Sequence, residues 1–179
     1  MDFYRGDDRI PTDGVICSQG FTAKPPSPTM NGDQARLYLA QQFMNGSQRL
    51  TCQDVGMTWR QQTPGGLVAT AQHQEGAYAG KNYFYKITIP DTELMAWELN
   101  NKGHRERQIA VAEVGTTRKY CLIHNSTTYE TATLIALCHP VSTREATFLT
   151  AIPSQYIVGT RTGKDTLNEN MPFAPFINP

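Results

Sequence analysis

From Tyr83 to Ile89 the chain alternates Tyr83, Tyr85, Ile87 and Ile89 with Phe84, Lys86 and Thr88, and Pro90-Asp91 ends the run. Aromatic and β-branched residues at period two suit a pleated surface and crowd a helix, so this segment predicts a strand. A strand needs neighbours, and several other segments read as candidates. Asp2-Phe3-Tyr4-Arg5 is a short apolar and aromatic run closed by Gly6-Asp7-Asp8 and Pro11. Leu67 to Ala71 follows Gly65-Gly66; Gln108 to Val114 and Arg118 to Ile123 are split by Gly115-Thr116-Thr117. Ser142 to Thr150 and Tyr156 to Thr160 complete the set of expected strands.

Helical signals are fewer. Residues 12 to 17 fit one helical turn capped by Thr12 or Asp13, before Gly20 and the cluster Lys24-Pro25-Pro26-Ser27-Pro28 impose a loop. From Asp33 onward Ala35, Leu37, Leu39, Ala40, Phe43 and Met44 recur at helical spacing, with Asn31 or Asp33 as N-cap and Asn45-Gly46 as the stop. Tyr129 to Leu137 has the apolar density of a short buried helix. The tail from Asn168 to Pro179 holds three prolines and no periodicity, so irregular chain is expected there.

With 179 residues the chain suits a single domain spanning residues 1 to 179. Lys plus Arg equals Asp plus Glu at 16 each, which removes any electrostatic case for a DNA-coating or anionic-membrane protein. Only 18% of residues are charged, and Thr, Gln, Asn and Ser fill the gap, so a loop-rich, polar, mostly β or α+β domain is expected. No stretch approaches the ~18 apolar residues of a membrane span, and Met1-Asp2-Phe3-Tyr4-Arg5 lacks a signal-peptide layout; a soluble chain without a membrane partner is expected.

Cys17, Cys52, Cys121 and Cys138 are widely spaced, which favours free thiols over a disulfide framework. Cys121, His124, Cys138 and His139 match none of the usual zinc spacings, so no metal is expected. Nor does any Gly-x-Ser-x-Gly or Cys-His-Asn context mark a nucleophile.

Two motifs at opposite ends carry the chemical reading. The opening Phe3-Tyr4-Arg5-Gly6-Asp7-Asp8-Arg9-Ile10-Pro11, followed by a hydrophobic segment to Gly20-Phe21, resembles the start of the cholera and pertussis type ADP-ribosyltransferase toxins. Late in the chain, Glu145 is followed seven residues on by Ile152-Pro153 and then by Ile157, which looks like that family's catalytic-glutamate strand. Between them Leu67-Val68-Ala69-Thr70-Ala71 is similar to the family's aromatic-Val-Ser-Thr-Ser strand, and Leu50-Thr51-Cys52 resembles a Cys-containing segment of pertussis-like members.

The resemblance implies an α+β, ADP-ribosyltransferase-like split β-sandwich around an NAD cleft, with few short helices. It implies a mono-ADP-ribosyltransferase toxin or effector domain that uses NAD as substrate and no metal. Such a domain is delivered by a larger toxin or secretion system and acts in the target-cell cytosol. Its partners are a macromolecular acceptor, a protein rather than a nucleic acid by preference, and an immunity protein or delivery-complex component.

The same residues make chemical sense. Breaking the nicotinamide–ribose bond builds oxocarbenium character, which a carboxylate stabilises while accepting a hydrogen bond from a ribose hydroxyl; Glu145 is the matching acid. A guanidinium offers a planar fork for diphosphate oxygens or for bracing the cleft, the part given to Arg5. Thr70 is expected to support the glutamate and the nicotinamide ribose, and Gly6 to let backbone approach the cofactor. Thr143 and Arg144, just before Glu145, are expected to face the acceptor.

The chain also departs from the family pattern. Ala69 and Ala71 replace both serines of the Ser-Thr-Ser strand. Thr143 stands two residues before the glutamate, where arginine-modifying members carry Glu or Gln, and a hydroxyl does not activate an incoming guanidinium as a carboxylate does. Residues 33 to 52 contain no counterpart of the family's active-site histidine. Glu113 or Glu106 is a second placement of the acid that keeps a strand and loses the Ile-Pro spacing. Two other outcomes stay open: NAD glycohydrolysis, in which water replaces the acceptor, and a binding domain that has lost catalysis.

Overall fold

The computed structural model describes residues 1–23, 29–35, 38, 66–74, 80–98, 108–114, 117–124, 127–128, 133–138, 145–163 and 171–177. These residues form mostly antiparallel sheet with few short helices, an arrangement compatible with the expected α+β class.

The alternating run forms β3, Tyr83–Thr88, and the opening run forms β1, Asp2–Asp7. They pair antiparallel from Asp2 opposite Thr88 to Asp7 opposite Tyr83. On the other side of β1 lies β2, Val68–Ala71. The remaining strands in chain order are β4 (Leu94–Glu98), β5 (Gln108–Val114), β6 (Thr117–His124), β7 (Thr127–Thr128), β8 (Leu134–Cys138), β9 (Glu145–Phe148), β10 (Ile157–Thr162) and β11 (Ala174–Pro175). An eight-stranded sheet runs β11-β10-β3-β1-β2-β9-β8-β4, and β5-β6-β7 form a separate three-stranded sheet. Among the described strands, only β4 and β8 pair in parallel.

Asp13, not Thr12, caps the first helix, α1 (Gly14–Gln19); its carboxylate accepts from the Val15 and Ile16 amides. At the second expected helix, residues 32 to 35 are helical. Asn31 and Gln34 bond reciprocally: the Gln34 amide donates to Asn31 Oδ1 at 2.9 Å and the Asn31 amide to Gln34 Oε1 at 3.0 Å. This is a capping box, and it selects Asn31 over Asp33 as the cap. Apart from Tyr38, which is also helical, the rest of that expected helix to Met44 lies outside the described residues, as do Leu50-Thr51-Cys52.

Two expectations need correction. Tyr129 to Leu137 was expected as a buried helix, but from Leu134 the chain is strand β8 (Leu134–Cys138), held between β4 and β9. Leu134, Ile135 and Ala136 are all buried; a strand covered on both faces reads as a continuous apolar run and loses the period that would distinguish it from a helix. The tail is also not wholly irregular: Ala174–Pro175 pairs with β10 and adds an edge strand. Its anchor Phe173 lies against Gly159, where a Cβ would stand 2.8 Å from the phenylalanine's own Cβ.

The main core lies on one face of the large sheet, where Phe3, Tyr85, Ile87 and Phe148 meet Ile16, Phe21 and Ile152. Phe3 packs edge-on to Phe148 at 5.0 Å, and Phe21 edge-on to Tyr85 at 5.2 Å. The opposite face carries a smaller cluster in which Ala71 and Phe84 pack with Tyr4 and Phe173. Arg161 lies over both Phe84 and Phe173, its Cζ 5.1 and 4.7 Å from their centroids. Among the described residues, no helix is long and apolar enough to cross a membrane.

Candidate functional site

Arg5 and Asp7 are two residues apart on β1, so their side chains leave the same face of the strand and meet. Arg5 Nε and Nη2 donate to Asp7 Oδ2 at 3.2 and 3.1 Å, while Nη1 reaches across to the Ala69 carbonyl on β2 at 2.7 Å. Arg9 clasps the same carboxylate from the following turn, with Nε and Nη2 each 2.9 Å from an Asp7 oxygen and its amide at 3.1 Å. Both guanidinium groups lie over the Phe21 ring, Arg5 at 5.0 Å and Arg9 at 5.7 Å.

Burial by itself would raise the Asp7 carboxyl. The hydrogen bonds from Arg9 and the charges of Arg5 and Arg9 outweigh it and hold the group far below the ordinary carboxylate range. The shared carboxylate raises Arg9 in turn. Burial pushes the Tyr85 phenol up, so it remains a hydroxyl and donates to the Arg9 carbonyl at 2.7 Å.

Next to β1 in the sheet stands β2, and next to β2 stands β9 with Glu145 at its first position. The register sets Tyr4 opposite Ala71 and Ala71 opposite Glu145. Since residues in register share a face and neighbours along a strand alternate, Tyr4, Ala71 and Glu145 line one face, and Arg5, Thr70 and Ala146 the other. The Thr70 hydroxyl is buried and donates to the Ala146 carbonyl at 2.7 Å, which ties β2 to β9. Glu145 is half-buried. Its Oε1 accepts from the Thr147 hydroxyl at 3.2 Å, and its carbonyl lies 3.5 Å from Gln72 Nε2.

The structure also joins the two sequence motifs. Phe21 and Ile152 form an isolated bridge, each amide donating to the other's carbonyl at 2.8 Å. Gly20 makes this approach possible: its φ is +74°, and a Cβ there would stand 2.0 Å from the Ile152 carbonyl oxygen. Only glycine meets both demands at low cost.

No protein-family model matches the chain, and no curated protein matches it. What the described residues offer chemically is therefore read from their geometry. Arg5 has its fork turned into the protein, toward Asp7 and Ala69, so it braces two strands. Glu145 presents a half-exposed carboxylate at a strand end, suited to accepting a hydrogen bond and to standing beside developing positive charge. Gly6 is buried in β1 opposite Phe84. Thr143, Arg144 and the alternative acid Glu106 lie outside the described residues. Glu113 is on β5, in the sheet that shares no paired strand with β1 or β2. Among the described residues, no group of three or more His, Cys, Asp or Glu side chains could hold a metal ion.

Four participants were given no role by sequence reasoning. Asp7, Arg9 and Phe21 lie within the quoted opening pattern, where their spacing was noticed and their mutual contacts were not. Thr147 had a readable signal, since a hydroxyl two residues along a strand from Glu145 must share its face.

Proposed function

We propose that this domain is an NAD-dependent mono-ADP-ribosyltransferase of the cholera and pertussis toxin type, with the split β-sandwich of that family. One observation carries the reading. The strands bearing Arg5, the Ala69-Thr70-Ala71 segment and Glu145 are consecutive in one sheet, with Arg5 fastened to the middle strand and Phe21 bridged to Ile152. Segments far apart in sequence that matched one family pattern thus lie on neighbouring strands, with Arg5 and Thr70 on one face of the sheet and Glu145 on the other.

In this reading the bond between ribose C1′ and the nicotinamide nitrogen breaks, and its electron pair leaves with nicotinamide. Glu145 stabilises the cationic sugar and accepts a hydrogen bond from a ribose hydroxyl. A lone pair of the acceptor then forms the new bond to C1′, and the acceptor's proton passes to solvent. Arg5 keeps β1 and β2 in place beneath the substrate. The acceptor is a macromolecule of a target cell, met near Thr143 and Arg144, and delivery and immunity partners accompany such a domain.

A second reading, NAD glycohydrolysis, is favoured by one feature: Thr143 stands where a carboxylate would activate an incoming arginine, so water is a competing acceptor. Incubation with labelled NAD and target-cell lysate, beside Glu145→Gln and Arg5→Ala, separates the two. Label on a macromolecule that both variants lose supports the transferase. Nicotinamide release without label supports the glycohydrolase. Intact NAD throughout, with no NAD binding by calorimetry, overturns both.

A further inference from the structure

A carboxylate that must stand beside a short-lived cation needs a fixed rotamer, and a hydrogen-bond donor on one oxygen supplies it. In this chain β2 offers no such donor. Ala69 and Ala71 have no hydroxyl, and Thr70 is on the other face with its hydroxyl on the Ala146 carbonyl. The donor instead comes from the acid's own strand. Thr147 is directly opposite Ala69 in the β2–β9 register, is buried, and donates from Oγ1 to Glu145 Oε1 at 3.2 Å.

We propose that Thr147 is the positioning residue for Glu145, and that it supplies from β9 the hydroxyl that β2 lacks. The inference rests on the proposed NAD reaction. A β-branched side chain in a strand has few χ1 choices, and burial removes more of them, so the Thr147 hydroxyl is held ready. Its bond to one carboxylate oxygen leaves the other for the ribose hydroxyl. Ala69, small and directly across, leaves room at the same point for a hydroxyl reaching over from β2. Position 69 and position 147 are therefore two places from which one hydroxyl can reach one carboxylate.

The test uses the purified full chain and nicotinamide release from NAD. Thr147→Val keeps the shape and removes the donor; kcat is expected to fall ~10–100-fold with KM changed less than about twofold. Thr147→Ser should restore kcat to within about threefold of the parent, and adding Ala69→Ser to Thr147→Val should recover about tenfold of the loss. A Thr147→Val protein with the parent's kcat overturns the proposal, as does a Thr147→Ser protein that folds and is as slow as the valine variant. Side-chain relaxation of labelled glutamate at Glu145 reads the same contact without turnover. Thr147→Val should lower the order of the carboxylate-bearing carbon, and unchanged order overturns the proposal. A parent chain that releases no nicotinamide overturns the NAD reaction, and a relaxation contrast that persists then shows that the failure is not in the contact.

Discussion

Arg5 and Glu145 stand two strands apart in one sheet, yet among the described residues one is wrapped in charge and the carboxylate of the other carries a single hydroxyl. Arg5 keeps 14% of its side-chain surface and Asp7 9%; between them, Arg9 and the Ala69 carbonyl lie bonds that each lock another element. Removing Asp7 takes from two guanidinium groups the carboxylate they share, which is where large stability losses originate. Glu145 is half-exposed, and its carboxylate has one short-range donor on its own strand. The arginine end is built as scaffold, and in the proposed reaction the chemistry falls to the glutamate end.

The sharpest way to break that contrast is Glu145→Gln. Nicotinamide release should fall on the order of a thousandfold while denaturant stability stays within about 0.5 kcal/mol of the parent. A large stability loss would place Glu145 with the scaffold. Next in size is Gly20→Ala, whose methyl group meets the Ile152 carbonyl oxygen in a backbone conformation that disfavours a side chain. Urea titration should show a loss of about 3 kcal/mol, with the bridge between the two motifs opened.

Asp7→Asn follows, with an expected loss of about 2 kcal/mol at neutral pH, discounted because Arg9 retains a third of its exposure. Its pH dependence sharpens the comparison. The folded carboxyl lies below its ordinary value of 3.8, so in acid the unfolded chain takes up the proton first. The stabilising contribution of Asp7 is thus present above that value and is lost as pH falls further toward the folded value. Unfolding midpoints of parent and variant should converge on acidification below 3.8, and a constant gap there would remove the ion cluster as its cause. The smallest effect belongs to Phe173→Ala on the face away from the main core: about 1–2 kcal/mol, from the half-buried ring stacked with Phe84 and placed under Arg161. Nicotinamide release per folded molecule should be unchanged.

Period-two alternation made β3 legible from residue types alone, and the aromatic opening run did the same for β1. Turn chemistry and cap residues located α1 to within a residue or two. Strands Leu94–Glu98 and Thr127–Thr128, both at sheet edges, were not expected, and β8 was read as helix because burial on both faces erases the alternation that a strand with one wet face displays. The family resemblance singled out Arg5, Thr70 and Glu145 as one constellation; facing does not follow from a sequence pattern. Once a strand is assigned, period two tells which neighbours share a face along it, so Thr147 beside Glu145 was within reach of the sequence. Which residues oppose one another across strands depends on register, and register is set by the packing of residues distant in the chain. Ala71 against Glu145, Ala69 against Thr147 and the bridge from Phe21 to Ile152 are such pairings. Local residue chemistry determined where β1, β3 and α1 lie; only the tertiary structure, through nonlocal hydrogen bonds and core packing, decided that Arg5 braces while Glu145 faces outward beside a threonine.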